Sequence, residues 1–437
     1  MLKRILMTGC LTGCLGLALL GTAQAKEPKA DLPGANAVMS FDSRFHPVIA
    51  QNGMVSAQDR IAAEVGRDIL ARGGNAVDAA VATGFALAVT HPQAGNLGGG
   101  GFMMVALADR DEVLAIDFRE MAPAKATRDM YLGEDGEVDS SRAQYSHLSA
   151  GVPGTVMGML DALEAYGTMT RRQVIGPAVR LAYNGFPVSY GLSASLESSK
   201  KTLSADPSTL DYFFTESGAA PLPGDLLVQK DLARTLRRIV KDGADGFYKG
   251  ETARLLLAEM DAGGGIMTQA DLDNYKTVTR AAVTGTYNGY EIASMPPPSS
   301  GGVHVVQMLN ILSGYDLKAD GHNSADYLHK LTESMRRAYA DRSKYLGDPD
   351  FFDVPVDDLT DMDYADYLRS TIDLERASLS SEIGPAKSLP YESNETTHYS
   401  VMDRFGNAVS VTYTLNFSYG SGYTVDGAGF LLNNEMD

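Results

Sequence analysis

The strongest constraint on the fold lies near the end of the chain, from Thr396 to Asn416. Two runs rich in Thr, Tyr and Val flank the turn Asp403-Arg404-Phe405-Gly406-Asn407, the composition of a β-hairpin. If Asp403 and Asn407 close a three-residue loop with Gly406 left-handed, paired residue numbers sum to 810. Thr396 then stands opposite Thr414, and Asn416, two residues on, points to the same face. A slip of one residue would put Tyr413 or Leu415 opposite Thr396 instead. Two strands alone are marginal, so this hairpin needs neighbouring strands.

The threonines admit a bland reading, since Thr suits a pleated surface. Asn394-Glu395-Thr396 and Asn416-Phe417-Ser418 also fit the glycan-acceptor tripeptide, a pattern too short to mean much alone. A third reading is catalytic and rests on further blocks of sequence.

The first 25 residues differ from the rest. Lys3 and Arg4 precede an apolar run from Ile5 to Leu20, then Ala23-Gln24-Ala25. This order is that of a secretory signal peptide cut after Ala25, which predicts a periplasmic or secreted protein. The run is short for a membrane span. Leu11-Thr12-Gly13-Cys14 also resembles a lipid-attachment box, but the apolar run continues past Cys14 and fits a lipoprotein poorly. Cys10 and Cys14 both lie in this leader, so the mature chain is predicted to form no disulfide and no thiolate metal site. Seven scattered histidines show no ligand spacing. Removing Lys3 and Arg4 takes the formal charge from −18 to −20, which argues against nucleic acid as a partner.

Along the mature chain, Ile61, Val65, Ile69 and Leu70 mark a helix, with Ser56 and Asp59 as a capping box. Ala76 to Val89 reads as a small-residue core helix. Gly98-Gly99-Gly100-Gly101 precedes a strand; without Gly-Lys-Ser/Thr or a following helix, close backbone approach fits better than a phosphate loop. Val113 to Phe118 reads as a strand. Residues 147–290 read as scaffold helices with short links. Pro296-Pro297-Pro298-Ser299-Ser300-Gly301-Gly302 is a rigid bend into a helix near Val303. Ser324 to Leu346 reads as a long helix with Leu328, Leu331, Met335 and Ala338 inward, and 352–393 as a polar, flexible segment.

Thr396-Thr397-His398-Tyr399-Ser400, followed by the Asn416 strand, resembles the processing site of the gamma-glutamyltranspeptidases. Asn96-Leu97-Gly98-Gly99-Gly100-Gly101-Phe102, Asp117-Phe118-Arg119-Glu120-Met121-Ala122-Pro123, the Pro296 bend and Gly427 to Asp437 match further blocks of that family. The resemblance implies an N-terminal nucleophile hydrolase with an α+β fold in αββα layers. It implies self-cleavage between Glu395 and Thr396, with Gln more usual than Glu395 in relatives. The products would be a large subunit, 26–395, and a small subunit starting at 396, forming one composite domain. Thr396 would be the nucleophile and Thr414 would position its hydroxyl. Arg119 would grip the substrate α-carboxylate, while Asn416 and Glu435 would face its α-amine. The implied substrates are glutathione and other γ-glutamyl amides, with water, amino acids or peptides as acceptors and no cofactor. The chemistry supports the N-terminal position, because a threonine hydroxyl needs a base. A free α-amine, with a reference pKa of about 7.7–8.0, supplies one only after that bond breaks.

A cephalosporin or glutaryl acylase of the same superfamily would keep Thr396 and take another acyl group. An uncleaved secreted binding protein is an alternative from a different class. Relatives continue beyond the Asp437 block with a second acid, a Ser-Ser pair and a Gly-Gly oxyanion segment. The small subunit therefore reads as cut short, and residues 26–437 alone are expected to lack turnover.

Overall fold

The computed structural model describes residues 48–383 and 396–437; the leader at 1–25 and Glu395 lie outside them. An antiparallel sheet of six strands occupies the centre of residues 50–437. Its strands are β1 (Gly53–Ser56), β2 (Gly100–Ala106), β3 (Val113–Phe118), β4 (Val278–Ala281), β7 (Thr397–Asp403) and β8 (Ala408–Thr414). Their order is β1-β7-β8-β2-β3-β4, so the β7–β8 hairpin is interior to the sheet.

The hairpin has the register read from its turn. Pairs run from Met402 with Ala408 to Thr397 with Tyr413, each summing to 810. The Asp403 N–H donates to the Asn407 carbonyl at 3.0 Å, and Gly406 takes φ +91°. The buried Asp403 carboxylate holds the turn. Its Oδ1 accepts from the N–H groups of Phe405 and Asn407, at 2.8 and 3.0 Å. Its Oδ2 accepts from Asn407 Nδ2 at 2.7 Å and from the Ala76 N–H at 3.0 Å. Ala76 opens a helix, where a carboxylate is favoured. Asp403→Asn keeps one acceptor oxygen but turns an NH₂ group towards two donors. A loss of about 1–2 kcal/mol is expected, read as a lower urea midpoint.

One face of the sheet is covered by helices. These are α1 (Arg60–Ala71), α2 (Ala76–Thr90), α3 (Thr155–Tyr166), α4 (Arg171–Asn184) and α5 (Lys230–Asp242). Helices α2 and α3 pack on the strands, α1 and α4 pack on α2, and α5 packs on α4. Every residue of α2 is buried, which its small side chains permit. A Cβ on Gly84 would come within 2.5 Å of Tyr399 Oη, and Tyr413 Oη donates to the Gly84 carbonyl at 2.9 Å. The helix thus closes directly onto the hairpin's inward tyrosines.

On the other side stands a second, two-stranded sheet of β5 (Val283–Tyr287) and β6 (Tyr290–Ser294). Helix α6 (Gly301–Leu312) covers it, with α7 (Ala325–Tyr345) and α8 (Met362–Ser370) packed on α6. The layers therefore run helix, sheet, sheet, helix, which is an α+β fold of αββα type. Among the described residues, no helix is long and apolar enough to cross a membrane.

Several expectations need correction. Asp59 alone caps α1, accepting from the Ala62 N–H, while Ser56 ends β1. Residues 147–290 are not all helical: β4, β5 and the first residue of β6 lie there. The overlooked signal was Tyr287-Asn288-Gly289-Tyr290, a two-residue hairpin loop with φ of 51° and 83° at its centre. In α7, Leu328 and Met335 are exposed, Leu331 is half-buried and only Ala338 is buried. The helix instead buries the Glu333–Arg337 ion pair, 2.8 Å apart. The polar stretch after residue 352 contains α8, whose Ala365 and Leu368 pack with Ile311; residues 384–393 lie outside the described residues.

Candidate active site

The glycine run before β2 brings four chain segments close together. A Cβ on Gly99 would sit 2.0 Å from the Thr414 carbonyl, and one on Gly98 2.1 Å from the Leu431 carbonyl. Asn96 locks this approach. Its Oδ1 accepts from the Gly99 N–H and Thr155 Oγ1, and its Nδ2 donates to the Thr414 carbonyl at 2.9 Å. The run is therefore a packing device, and no phosphate-loop helix follows it.

Thr396, at the head of β7, and Thr414, at the end of β8, line one cavity of about 470 Å³. Arg119 and Glu120 line it from the end of β3, and Ser299 and Gly301 from the opposite layer. Thr396 is exposed and Thr414 half-buried. Thr414 Oγ1 accepts from the Asn416 N–H at 2.9 Å.

Asn416 departs from its expected place. The strand ends at Thr414, and Asn416 takes φ +77°, so simple alternation does not extend to it. Its Nδ2 donates to the Asn434 carbonyl and to Asp437 Oδ1, at 2.9 and 2.8 Å, away from the cavity lining.

Arg119 is held from three sides. Its N–H donates to Asp117 Oδ1 at 3.0 Å, and its carbonyl accepts from Tyr275 Oη at 2.8 Å. Its guanidinium lies 5.6 Å from the Phe102 ring centroid and pairs with Glu435. Asn433 carries the Glu435 loop: its Oδ1 accepts from the N–H groups of Gly151 and Glu435, and its Nδ2 donates to the Gly98 and Gly151 carbonyls. Four of the predicted site residues, Thr396, Thr414, Arg119 and Glu435, are thus brought together directly or through Arg119.

The sequence reading gave no site role to Glu120. It lines the cavity, and its Oε1 is buried without a hydrogen-bond partner among the described residues; so is Glu435 Oε2. Burial raises the Glu120 carboxyl well above the usual range, the nearby Glu435 carboxylate adds to this, and Arg119 opposes it. Burial likewise raises Glu435, against the pull of Arg119. Two carboxyls thus crowd one cation, each with one oxygen left unpartnered among the described residues.

An αββα sandwich with a threonine leading a central strand beside a cavity lined by Arg119 and Glu120 has the layout of an N-terminal nucleophile hydrolase. The family model described as Gamma-glutamyltranspeptidase matches residues 62–437. The glutathione hydrolase proenzyme of Escherichia coli is 52% identical over 393 residues, covering 90% of this chain and 68% of that protein. The acylase ACY 1 proenzyme of a Pseudomonas species is 40% identical, covering 91% and 72%. The crystal structure of Helicobacter pylori gamma-glutamyltranspeptidase superposes with a TM-score of 0.76 at 45% identity, covering 79% of this chain and 99% of that one. The chain belongs to the gamma-glutamyltranspeptidase family and is an enzyme by that membership.

Proposed function

We propose that this enzyme removes γ-glutamyl groups from glutathione and other γ-glutamyl amides and passes them to water, an amino acid or a peptide. The observation that carries this reading is the cavity itself. It sets the Arg119 guanidinium and the unpartnered, buried Glu120 Oε1 in one cavity with Thr396, and Arg119 ties in Glu435, whose Oε2 is also buried and unpartnered among the described residues. A γ-glutamyl group presents one α-carboxylate and one α-ammonium. Arg119 offers a bidentate fork to the carboxylate. Glu435, joined by Glu120, accepts from the ammonium. Arg119 exchanges its contact with Glu435 for one with substrate, which frees the carboxylate for that task.

Thr396 becomes N-terminal when the Glu395–Thr396 bond breaks, leaving a large subunit of residues 26–395 and a small subunit starting at 396. Its own α-amine then takes the hydroxyl proton as the oxygen attacks the γ-carbonyl. The leaving amine departs, a γ-glutamyl ester remains on Thr396, and the acceptor resolves it. Thr414 steadies the hydroxyl from the neighbouring strand, and Asn416 supports Thr414 from its backbone. The leader at residues 1–25 would direct the precursor to the periplasm or the exterior, with Ala25 as its last residue.

The acylase relative favours a second reading in which the acyl group is a dicarboxylic chain. A glutaryl group keeps a carboxylate for Arg119 but has no ammonium for Glu435. A γ-glutamyl anilide is therefore expected to react about 10–100 times faster in kcat/KM than a glutaryl anilide, the worth of one charged hydrogen bond. Equal rates or a preference for glutaryl would assign the acylase specificity.

A further inference from the structure

We propose that His398 accepts and returns the proton in the self-cleavage step that creates the enzyme. This rests on the reading of Thr396 as the self-cleaving residue. The mature enzyme draws on the α-amine of Thr396, but that amine is still an amide nitrogen when its own bond must be cut. The first cut therefore needs a different base.

His398 has the required position. It lies two residues after Thr396, and the alternation of exposed 396, buried 397 and exposed 398 puts both side chains on one face. Both line the same cavity. The strand rise sets their Cα atoms roughly 6.5 Å apart on that face, so that a water between the two side chains can join them.

Among the described residues, its ring is oriented by hydroxyls. Nδ1 lies 2.7 Å from Thr412 Oγ1, and Nε2 lies 3.1 Å from Ser410 Oγ and 3.2 Å from Ser400 Oγ. Among the described residues, no carboxylate is paired with it. Arg119 and Glu120 are the charged groups lining the same cavity. Partial burial pushes the ring below its usual value, so at neutral pH it is uncharged and has a nitrogen able to take a proton.

The step balances. The Thr396 hydroxyl proton passes through the water and the Thr412 hydroxyl to His398 Nδ1 as the oxygen bonds to the Glu395 carbonyl carbon. The carbon–nitrogen bond then breaks, and the imidazolium returns the proton to the Thr396 nitrogen. An ester remains, and water hydrolyses it to the Glu395 carboxylate and the free threonine hydroxyl.

The test follows precursor conversion on denaturing gels, using the full chain made by cell-free synthesis. His398→Gln keeps polar contacts but is not basic, and is expected to slow conversion by about 10²-fold. In the parent, conversion should fall as acid protonates His398; in the variant that step should vanish. His398→Ala should convert faster when free imidazole is added, which a packing role would not allow. Wild-type conversion of the Gln variant, or an Ala variant indifferent to imidazole while equally folded by circular dichroism, would overturn the proposal. Thr396→Ala is run beside them: its normal cutting would remove the Thr396 reading and this proposal with it, whereas an uncut Thr396→Ala with a fast His398→Gln sinks only the proton role.

Discussion

Thr396→Ala is expected to leave a single uncut chain that releases no anilide from a γ-glutamyl anilide. The loss should be on the order of 10⁴-fold or more, because nucleophile and base disappear together. Without the hydroxyl nothing attacks the preceding carbonyl, and without the cut no α-amine forms. Thr396→Ser retains a hydroxyl and should retain part of both activities. The two readouts separate two roles: cutting on a denaturing gel reports self-cleavage, and anilide release reports turnover. Since Thr396 is exposed at the head of β7, neither substitution opens a core cavity, and melting temperature should hold near that of the parent.

The second large effect is expected at Arg119. Arg119→Ala removes the proposed α-carboxylate ligand and strips Glu435 of its cation. Losing two charged hydrogen bonds to substrate at about 1.5–2 kcal/mol each should lower kcat/KM for γ-glutamyl substrates by two to three orders of magnitude. Arg119→Lys keeps the charge without the fork and should lose about 1.5–3 kcal/mol. Cutting at Thr396 should continue at nearly the parent rate in the lysine variant, because that reaction binds no external substrate. Unchanged substrate kinetics in both variants would remove Arg119 from the site.

What could be read from sequence followed from local rules. The hairpin register needed only Asp403, Gly406 and Asn407, since a turn type fixes every pair beyond it. The glycine run was readable as close approach because no helix followed it. Arg119 and Thr396 were singled out by resemblance of whole blocks, and both line one cavity. The misses have physical causes. Asn416 was placed by strand alternation, which fails once φ turns positive. In α7 a chemically apolar stripe proved exposed while an ion pair was buried, because Glu333 also accepts from Ser378 and Arg337 also reaches Leu368 and Thr371. Partners so distant in sequence leave no periodic trace. Glu120 stood next to Arg119 in the quoted block, yet only the cavity shows its oxygen to be buried and unpartnered.

The central claim is that Thr396 is freed by self-cleavage and carries the γ-glutamyl group. Intact mass spectrometry tests it most directly. The enzyme is mixed with a γ-glutamyl anilide, quenched in acid within the first turnovers and weighed. The account predicts two fragments, the smaller beginning at Thr396 and heavier by one γ-glutamyl group. Fragmentation should then place that group on Thr396. A chain that stays whole while releasing anilide, or a label found on any other residue, would contradict it.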